Sequence, residues 1–232
     1  MIEIRKEFST HSKEYGSHNI IQQLVAKALV RDINSTPKTI LELGCGSGQI
    51  YKNINFPVDY YYGVDFSQQM CELHPKGDGI DISCFDFDSD EFYSEFKNHK
   101  YELILSSSAL QWSKDLSKLV KFLSTISKVI NVTLFTSNTF KSIFDITGQK
   151  SPILSKEEII NAFESSCQCV YEVFQYKLEF NTKKELFDYI KKSGVRGGLN
   201  PLKYKESKKL YTNYPYNYLE FEVIFIKASS RS

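Results

Sequence analysis

Thr39-Ile-Leu-Glu-Leu43 runs without interruption into Gly44-Cys-Gly-Ser-Gly48. A short apolar run stopped by a glycine cluster reads as a buried strand entering a tight turn. Glycine lets the backbone turn sharply there and lets a ligand approach the chain closely. A strand buried on both faces belongs to a sheet with helices packed on either side.

The surrounding pattern agrees. Ahead of that strand, Ile21, Leu24, Val25, Ala28 and Leu29 fall at helical spacing, and Asn34-Ser-Thr-Pro37 ends the helix. Strand-like runs follow at 59–65, 79–85, 101–106 and 132–136, and a helical stripe of Leu116, Leu119, Val120, Leu123, Ile126 and Ile130 precedes the last of them. Alternating strands and helices predict an α/β fold with a mostly parallel, Rossmann-like sheet. The final third differs: 170–180 and 218–226 are long strand-like runs, and 183–210 between them is helical and loop-like, with Gly194-Val-Arg-Gly-Gly-Leu-Asn-Pro201 in its middle. With 232 residues, no repeat and no Pro/Gly/Ser linker, one domain over 1–232 is expected. Its accessories are an N-terminal lid at about 1–18 and cap insertions at about 139–165 and 181–212.

In an open α/β sheet, ligands sit beyond the carboxyl ends of the strands, where this glycine turn lies. A dinucleotide site wants G-x-G-x-x-G with pyrophosphate at a helix N-terminus. Here the spacing is G-x-G-x-G, preceded by Glu42. An acidic group there suits a ligand with an ammonium and no phosphate. Asp65 closes the second strand and can accept two ribose hydroxyls. Asp86, after the third strand, is placed to accept from an exocyclic adenine amine, with Phe87 beside the ring. Adenine, ribose diol and a zwitterionic amino acid together describe S-adenosylmethionine. The expected cofactor site is Glu42, Gly44, Cys45, Gly46, Gly48, Asp65, Phe66, Asp86, Phe87 and Ser106. The alternative is a plain βα connection with strand-end aspartates that cap helices.

Cys45, Cys71, Cys84, Cys167 and Cys169 are odd in number and lack metal-ligand spacing, so reduced thiols and no metal are expected. Residues 1–7 lack the apolar core of a signal peptide and no run is long enough to cross a bilayer, which predicts a cytoplasmic protein. The formal net charge is +1, so no global field draws the chain to nucleic acid or membrane, and any charged partner must be read by a local patch.

Leu41-Glu-Leu-Gly-Cys-Gly-Ser-Gly48 and Gly63-Val-Asp-Phe-Ser67 resemble the first two motifs of the class I S-adenosylmethionine-dependent methyltransferases. A narrower resemblance is to the malonyl-acyl-carrier-protein O-methyltransferases, which open bacterial biotin synthesis. It is carried by Phe8-Ser-Thr-His-Ser-Lys-Glu-Tyr15 with His18, by Leu105-Ser-Ser-Ser-Ala-Leu-Gln-Trp112, by Phe135-Thr-Ser-Asn-Thr-Phe140 and by the tail 214–225. The Pro-Gly-Gly turn usual before the fifth strand is replaced by Lys128-Val-Ile-Asn131. The resemblance implies a seven-stranded, mostly parallel sheet whose last strand is antiparallel, with a small helical cap. It also implies methyl-ester formation on the free carboxylate of malonyl-acyl-carrier protein.

Methyl transfer from a sulfonium needs alignment above all. A malonyl carboxylate, with a pKa of roughly 4 or below, is already ionised at pH 7, so no general base is required. The candidates for positioning it are Tyr15 and His18 from the lid, Ser107 and Gln111 after the fourth strand, and Arg196 from the cap. Trp112 reads as core. Residues 181–210 carry nine basic against three acidic side chains. Such a run is a solvated face or, over the pocket, a dock for an acidic carrier protein along Lys183 to Lys209. A monomer without nucleic-acid or membrane partners is expected. Competing readings are methylation of a small carboxylic acid or quinone precursor, and a module that binds S-adenosylmethionine without turnover.

Overall fold

The structure is a computed structural model that describes residues 19–192 and 204–231. Tyr15, His18, Arg196, the 1–18 lid and the Gly194–Pro201 stretch lie outside the described residues. The first half of the chain forms α1 (Ile20–Arg31), β1 (Thr39–Leu43), β2 (Tyr60–Asp65), α2 (Gln68–Leu73), β3 (Ile80–Cys84), α3 (Asp90–Phe96) and β4 (Leu103–Ser107). The second half adds α4 (Leu116–Ile126), β5 (Val129–Phe135), α5 (Lys141–Thr147), α6 (Lys156–Glu164), β6 (Cys167–Glu179), α7 (Lys183–Lys192), α8 (Tyr204–Asn213) and β7 (Tyr218–Ser230). Short 3₁₀ turns stand at Tyr51–Asn53 and Leu110–Trp112.

The seven strands form one sheet in the order β3-β2-β1-β4-β5-β7-β6. Pairings from β3 through β5 are parallel, and β7 runs antiparallel to both β5 and β6. The expected seven-stranded sheet with an antiparallel last strand is observed. The chain order reverses at β1, with β2 and β3 on one side and β4 and β5 on the other. That reversal opens a crevice past the carboxyl ends of β1 and β4.

Each face of the sheet has its own core. On one, α1 buries Ile21, Leu24, Val25, Ala28 and Leu29 together with Phe140, Leu186, Tyr214 and Phe221. On the other, α4 buries Leu116, Leu119, Val120, Leu123 and Ile126 against Leu41, Leu43, Ile104 and Ile130. Burial on both faces explains why β1 and β4 read as continuous apolar runs. Side chains cap the helices as their sequences suggest. Asp115 accepts from the Lys118 amide at 2.9 Å ahead of α4, and Ser155 with Glu158 forms a capping box on α6.

Several boundaries differ from the sequence reading. Ile130 belongs to β5 and not to the preceding helix, because the chain leaves the helix at Ser127 while still placing apolar side chains four apart. The fifth strand begins at Val129 and β4 ends one residue later than expected. Within the 139–165 stretch, α6 packs Ile159, Ala162 and Phe163 into the second core beside α4.

β7 also holds the chain segment after β5. The buried Glu222 carboxylate accepts from Thr136 Oγ1 at 2.6 Å, Asn138 Nδ2 at 2.9 Å and Gln175 Nε2 at 2.9 Å. Burial pushes its carboxyl up, but the three donors outweigh burial and hold it below the ordinary range. Thr139 Oγ1 adds a bond to the Glu222 backbone carbonyl at 3.1 Å.

Candidate active site

The glycine turn after β1 is tied to the end of β2. The amides of Gly44 and Cys45 both donate to the Val64 carbonyl, at 2.8 and 3.0 Å. Gly44 (φ +69°) and Gly46 (φ +51°) take left-handed backbone, which side chains other than glycine's adopt at a cost. A Cβ on Gly44 would stand 2.3 Å from Ala109 Cβ, so the turn is wedged against the loop after β4. A Cβ on Gly46 would meet nothing within 4 Å and would project into open space.

Asp65 joins the two loops. Its Oδ2 accepts the Gly46 amide at 2.9 Å and its Oδ1 the Ser67 amide at 2.9 Å. Each carboxylate oxygen keeps a second lone pair, enough for a pair of vicinal hydroxyls. Glu42, at the end of β1, is 2% exposed. Burial pushes its carboxyl well above the ordinary range; the Tyr61 hydroxyl, which donates to Glu42 Oε2, pulls it down, and the Asp65 charge pushes it up.

These groups line a cavity of about 430 Å³ at the β1/β4 crevice, within the size range of small-molecule sites. The structure brings Glu42, Gly44, Cys45, Gly46, Asp65, Phe66, Ser107 and Gln111 to it, as the sequence reading grouped them. Asn19 just ahead of α1, Gln22 and Ala26 of α1, and Ile153 from the loop before α6 form further wall. The sequence reading passed these over, because nothing in a helical stripe says what its end faces.

Other expected residues lie elsewhere. Ser106 is buried, and its hydroxyl donates to the Leu43 carbonyl at 2.8 Å. Asp86 lies outside the cavity wall, with Oδ2 3.6 Å from Lys114 Nζ. Phe87 packs on the second core and Gly48 is buried beneath the turn. Trp112, read as core, is 39% exposed at the cavity wall, because the 3₁₀ turn after β4 swings it outward while Leu110 and Gln111 turn in.

No Lys, Arg or His stands among the described residues that line the cavity; its titratable side chains are Glu42, Asp65 and Cys45. The two carboxyl groups of the described wall suit a cationic ligand. Two buried polar atoms there, Ser108 Oγ and Gln111 Oε1, have no hydrogen-bond partner among the described residues. Gln111 Nε2 is committed to the Ser108 carbonyl at 2.8 Å, which leaves Oε1 as an acceptor. Open space over Gly46, orphaned polar atoms and an acidic wall fit a sulfonium nucleoside. No group of three or more metal-ligating side chains occurs among the described residues. Nor is any helix among them long and apolar enough to cross a membrane.

A family profile described as a methyltransferase domain matches residues 41–131. The malonyl-[acyl-carrier protein] O-methyltransferase of Anoxybacillus flavithermus is 32% identical over 127 residues, a match spanning 51% of this chain and 47% of that protein. The protein of the same name from Haemophilus influenzae is 27% identical over 207 residues, 83% of this chain and 76% of that protein. Among solved structures, the YcgJ protein of Bacillus subtilis aligns with a TM-score of 0.65 at 12% identity, covering 90% of this chain and 98% of that one. The plantazolicin methyltransferase BpumL, solved in complex with SAH, aligns with a TM-score of 0.52 at 14% identity, covering 99% and 90%. At these identities the structural likeness is one of fold. The chain belongs to the class I S-adenosylmethionine-dependent methyltransferases. Within that class its sequence is similar to proteins named malonyl-[acyl-carrier protein] O-methyltransferase.

Proposed function

We propose that this enzyme methyl-esterifies the free carboxylate of malonyl-acyl-carrier protein, an early step of biotin synthesis. The observation that carries the reading is the pair of carboxyl groups, Glu42 and Asp65, in the cavity wall, combined with relatives named for that reaction. S-adenosylmethionine, when bound, supplies an activated methyl on a sulfonium. Asp65 holds the ribose hydroxyls and Glu42 the ammonium, so the nucleoside lies toward β2 and β3 and the reactive end toward β4. Asp86, just after β3, takes the adenine amine from outside the present wall. The acceptor carboxylate arrives ionised, and the protein's work is to align it and exclude water. Ser107 and Gln111 sit where the acceptor must come, and Tyr15, His18 and Arg196 are assigned to the same task.

The carrier protein is proposed to dock on the basic stretch from Lys183 to Lys209. Within it, Lys184 pairs with Asp188 at 3.0 Å. The protein is proposed to work as a cytoplasmic monomer, without nucleic-acid or membrane partners.

The test is transfer of a labelled methyl group from S-adenosylmethionine to malonyl-acyl-carrier protein, malonyl-coenzyme A or free malonate. Base-labile label on the carrier supports the reading. Label on free malonate alone supports a small-acid enzyme, and turnover on no acid at all overturns the reading.

A further inference from the structure

Three buried side chains stand in line behind the cofactor turn. Glu42, Tyr61 and His74 are 2%, 1% and 3% exposed. Tyr61 Oη meets Glu42 Oε2 on one side and lies 3.4 Å from His74 Nε2 on the other. His74 Nδ1 is 2.8 Å from the Pro75 carbonyl. A carbonyl only accepts, so Nδ1 carries the hydrogen and, in the neutral ring, Nε2 is the bare acceptor. The rings are fixed by packing: Tyr61 stacks on His74 at 5.6 Å, and Tyr51 stands edge-on to Tyr61 at 5.0 Å. The site abuts the turn itself, since a Cβ on Gly48 would lie 3.1 Å from the His74 ring.

We propose that Tyr61 and His74 form a proton wire that lets Glu42 become a carboxylate when a ligand ammonium arrives, with His74 taking the proton Glu42 releases. The inference rests on the reading of Glu42 as the ammonium's partner. Tyr61 donating to Glu42 is the arrangement that suits the carboxylate; before binding the bond runs the other way, with neutral Glu42 donating to Tyr61 and Tyr61 to His74 Nε2. On binding, the Glu42 O–H bond breaks and its proton joins the Tyr61 oxygen. The Tyr61 O–H bond breaks and its proton joins His74 Nε2. The products are a carboxylate, a neutral tyrosine and an imidazolium that donates back to Tyr61. Every donor has an acceptor in both states, and no proton leaves the protein.

The charged surroundings suit that exchange. Burial first holds Glu42 above its ordinary range, the direction that favours the neutral acid from which the wire starts. Burial first, and Lys52 after the opposing Pro75 bond, hold His74 below its ordinary value, so it begins neutral. Asp65 and the Cys45 thiol face Glu42 from β2 and the turn, Tyr51 and Lys52 face the pair from the 3₁₀ turn, and Cys71 lies on α2. A new carboxylate at Glu42 favours the imidazolium one hydrogen bond further on.

Calorimetry with S-adenosylhomocysteine, in buffers of differing ionisation enthalpy near pH 6.5, tests this. The wild-type heat is expected to be independent of buffer, with an affinity flat in pH. His74→Gln keeps a donor for Pro75 and an acceptor for Tyr61 but cannot take a proton. It should release about one proton per ligand, its affinity rising about tenfold per pH unit. Tyr61→Phe should behave alike. Equal proton release by wild type and both variants overturns the wire. Unchanged affinity in Glu42→Gln overturns the ammonium contact, and absence of any wild-type binding overturns the cofactor reading.

Discussion

Asp65 Oδ2 accepts the backbone amide of Gly46 at 2.9 Å, so the carboxylate assigned to the ribose also holds the glycine turn in place. Its other oxygen caps the Ser67 amide at the start of the next segment. One side chain thus sets the shape of the cavity and is proposed to contact its ligand.

Asp65→Ala should therefore lose S-adenosylhomocysteine binding by calorimetry and also lower stability by about 1–3 kcal/mol, since two amides lose their acceptor. Asp86→Ala, at an exposed position where Oδ1 accepts the Asp88 amide at 2.9 Å and Oδ2 lies 3.6 Å from Lys114 Nζ, should cost no more than about 1 kcal/mol. Equal effects at the two positions would contradict the assignment.

The glycines of the turn should separate stability from affinity. Gly44→Ala sets a Cβ against Ala109 in left-handed backbone and should cost about 3 kcal/mol or more. Gly46→Ala meets open space and should cost only about 1 kcal/mol for its backbone, yet weaken cofactor binding about tenfold or more by filling the cavity. Thermal unfolding read beside calorimetry distinguishes the two.

Glu222→Gln replaces an acceptor of three hydrogen bonds with a group that carries its own donors, and should destabilise by about 1–3 kcal/mol. The wild-type carboxyl is held low in the folded state. Its contribution is therefore fully present above the unfolded value of 4.5 and is lost as pH falls through the lower folded value. Denaturant midpoints measured across that acid range should drop more steeply for wild type than for the variant.

Charge reversal at Lys191, Lys192, Lys208 and Lys209 should lower kcat/KM for malonyl-acyl-carrier protein more than for malonyl-coenzyme A, and the difference should shrink as salt rises. Equal losses on both substrates would remove the basic stretch as the carrier's dock.

The sheet was legible in the sequence where burial is symmetric. β1 carries Ile40, Leu41 and Leu43 and β4 carries Leu103, Ile104 and Leu105, and the glycines of 44–48 marked the crevice between them. Ile130 was misread because a helix end and a strand start kept the same apolar spacing across Ser127. Local pattern placed Glu42 and Asp65 at the site, since strand ends in such a sheet converge there. Ser106 went the other way because its hydroxyl, within β4, bonds the neighbouring Leu43 carbonyl, and Trp112 because the short turn after β4 decides which side chain turns inward. The contact of Tyr61 with His74 joins a strand to the residue beyond the next helix, and only the fold brings them together. Short helices such as α2 and α3 hold too few apolar residues for a period to stand out.

A crystal structure of the protein grown with S-adenosylhomocysteine tests the central claim most directly. The account predicts the nucleoside in the β1/β4 cavity, its ribose hydroxyls on Asp65 and its ammonium on Glu42. An empty cavity, a ligand bound elsewhere, or a ribose turned away from Asp65 would contradict it.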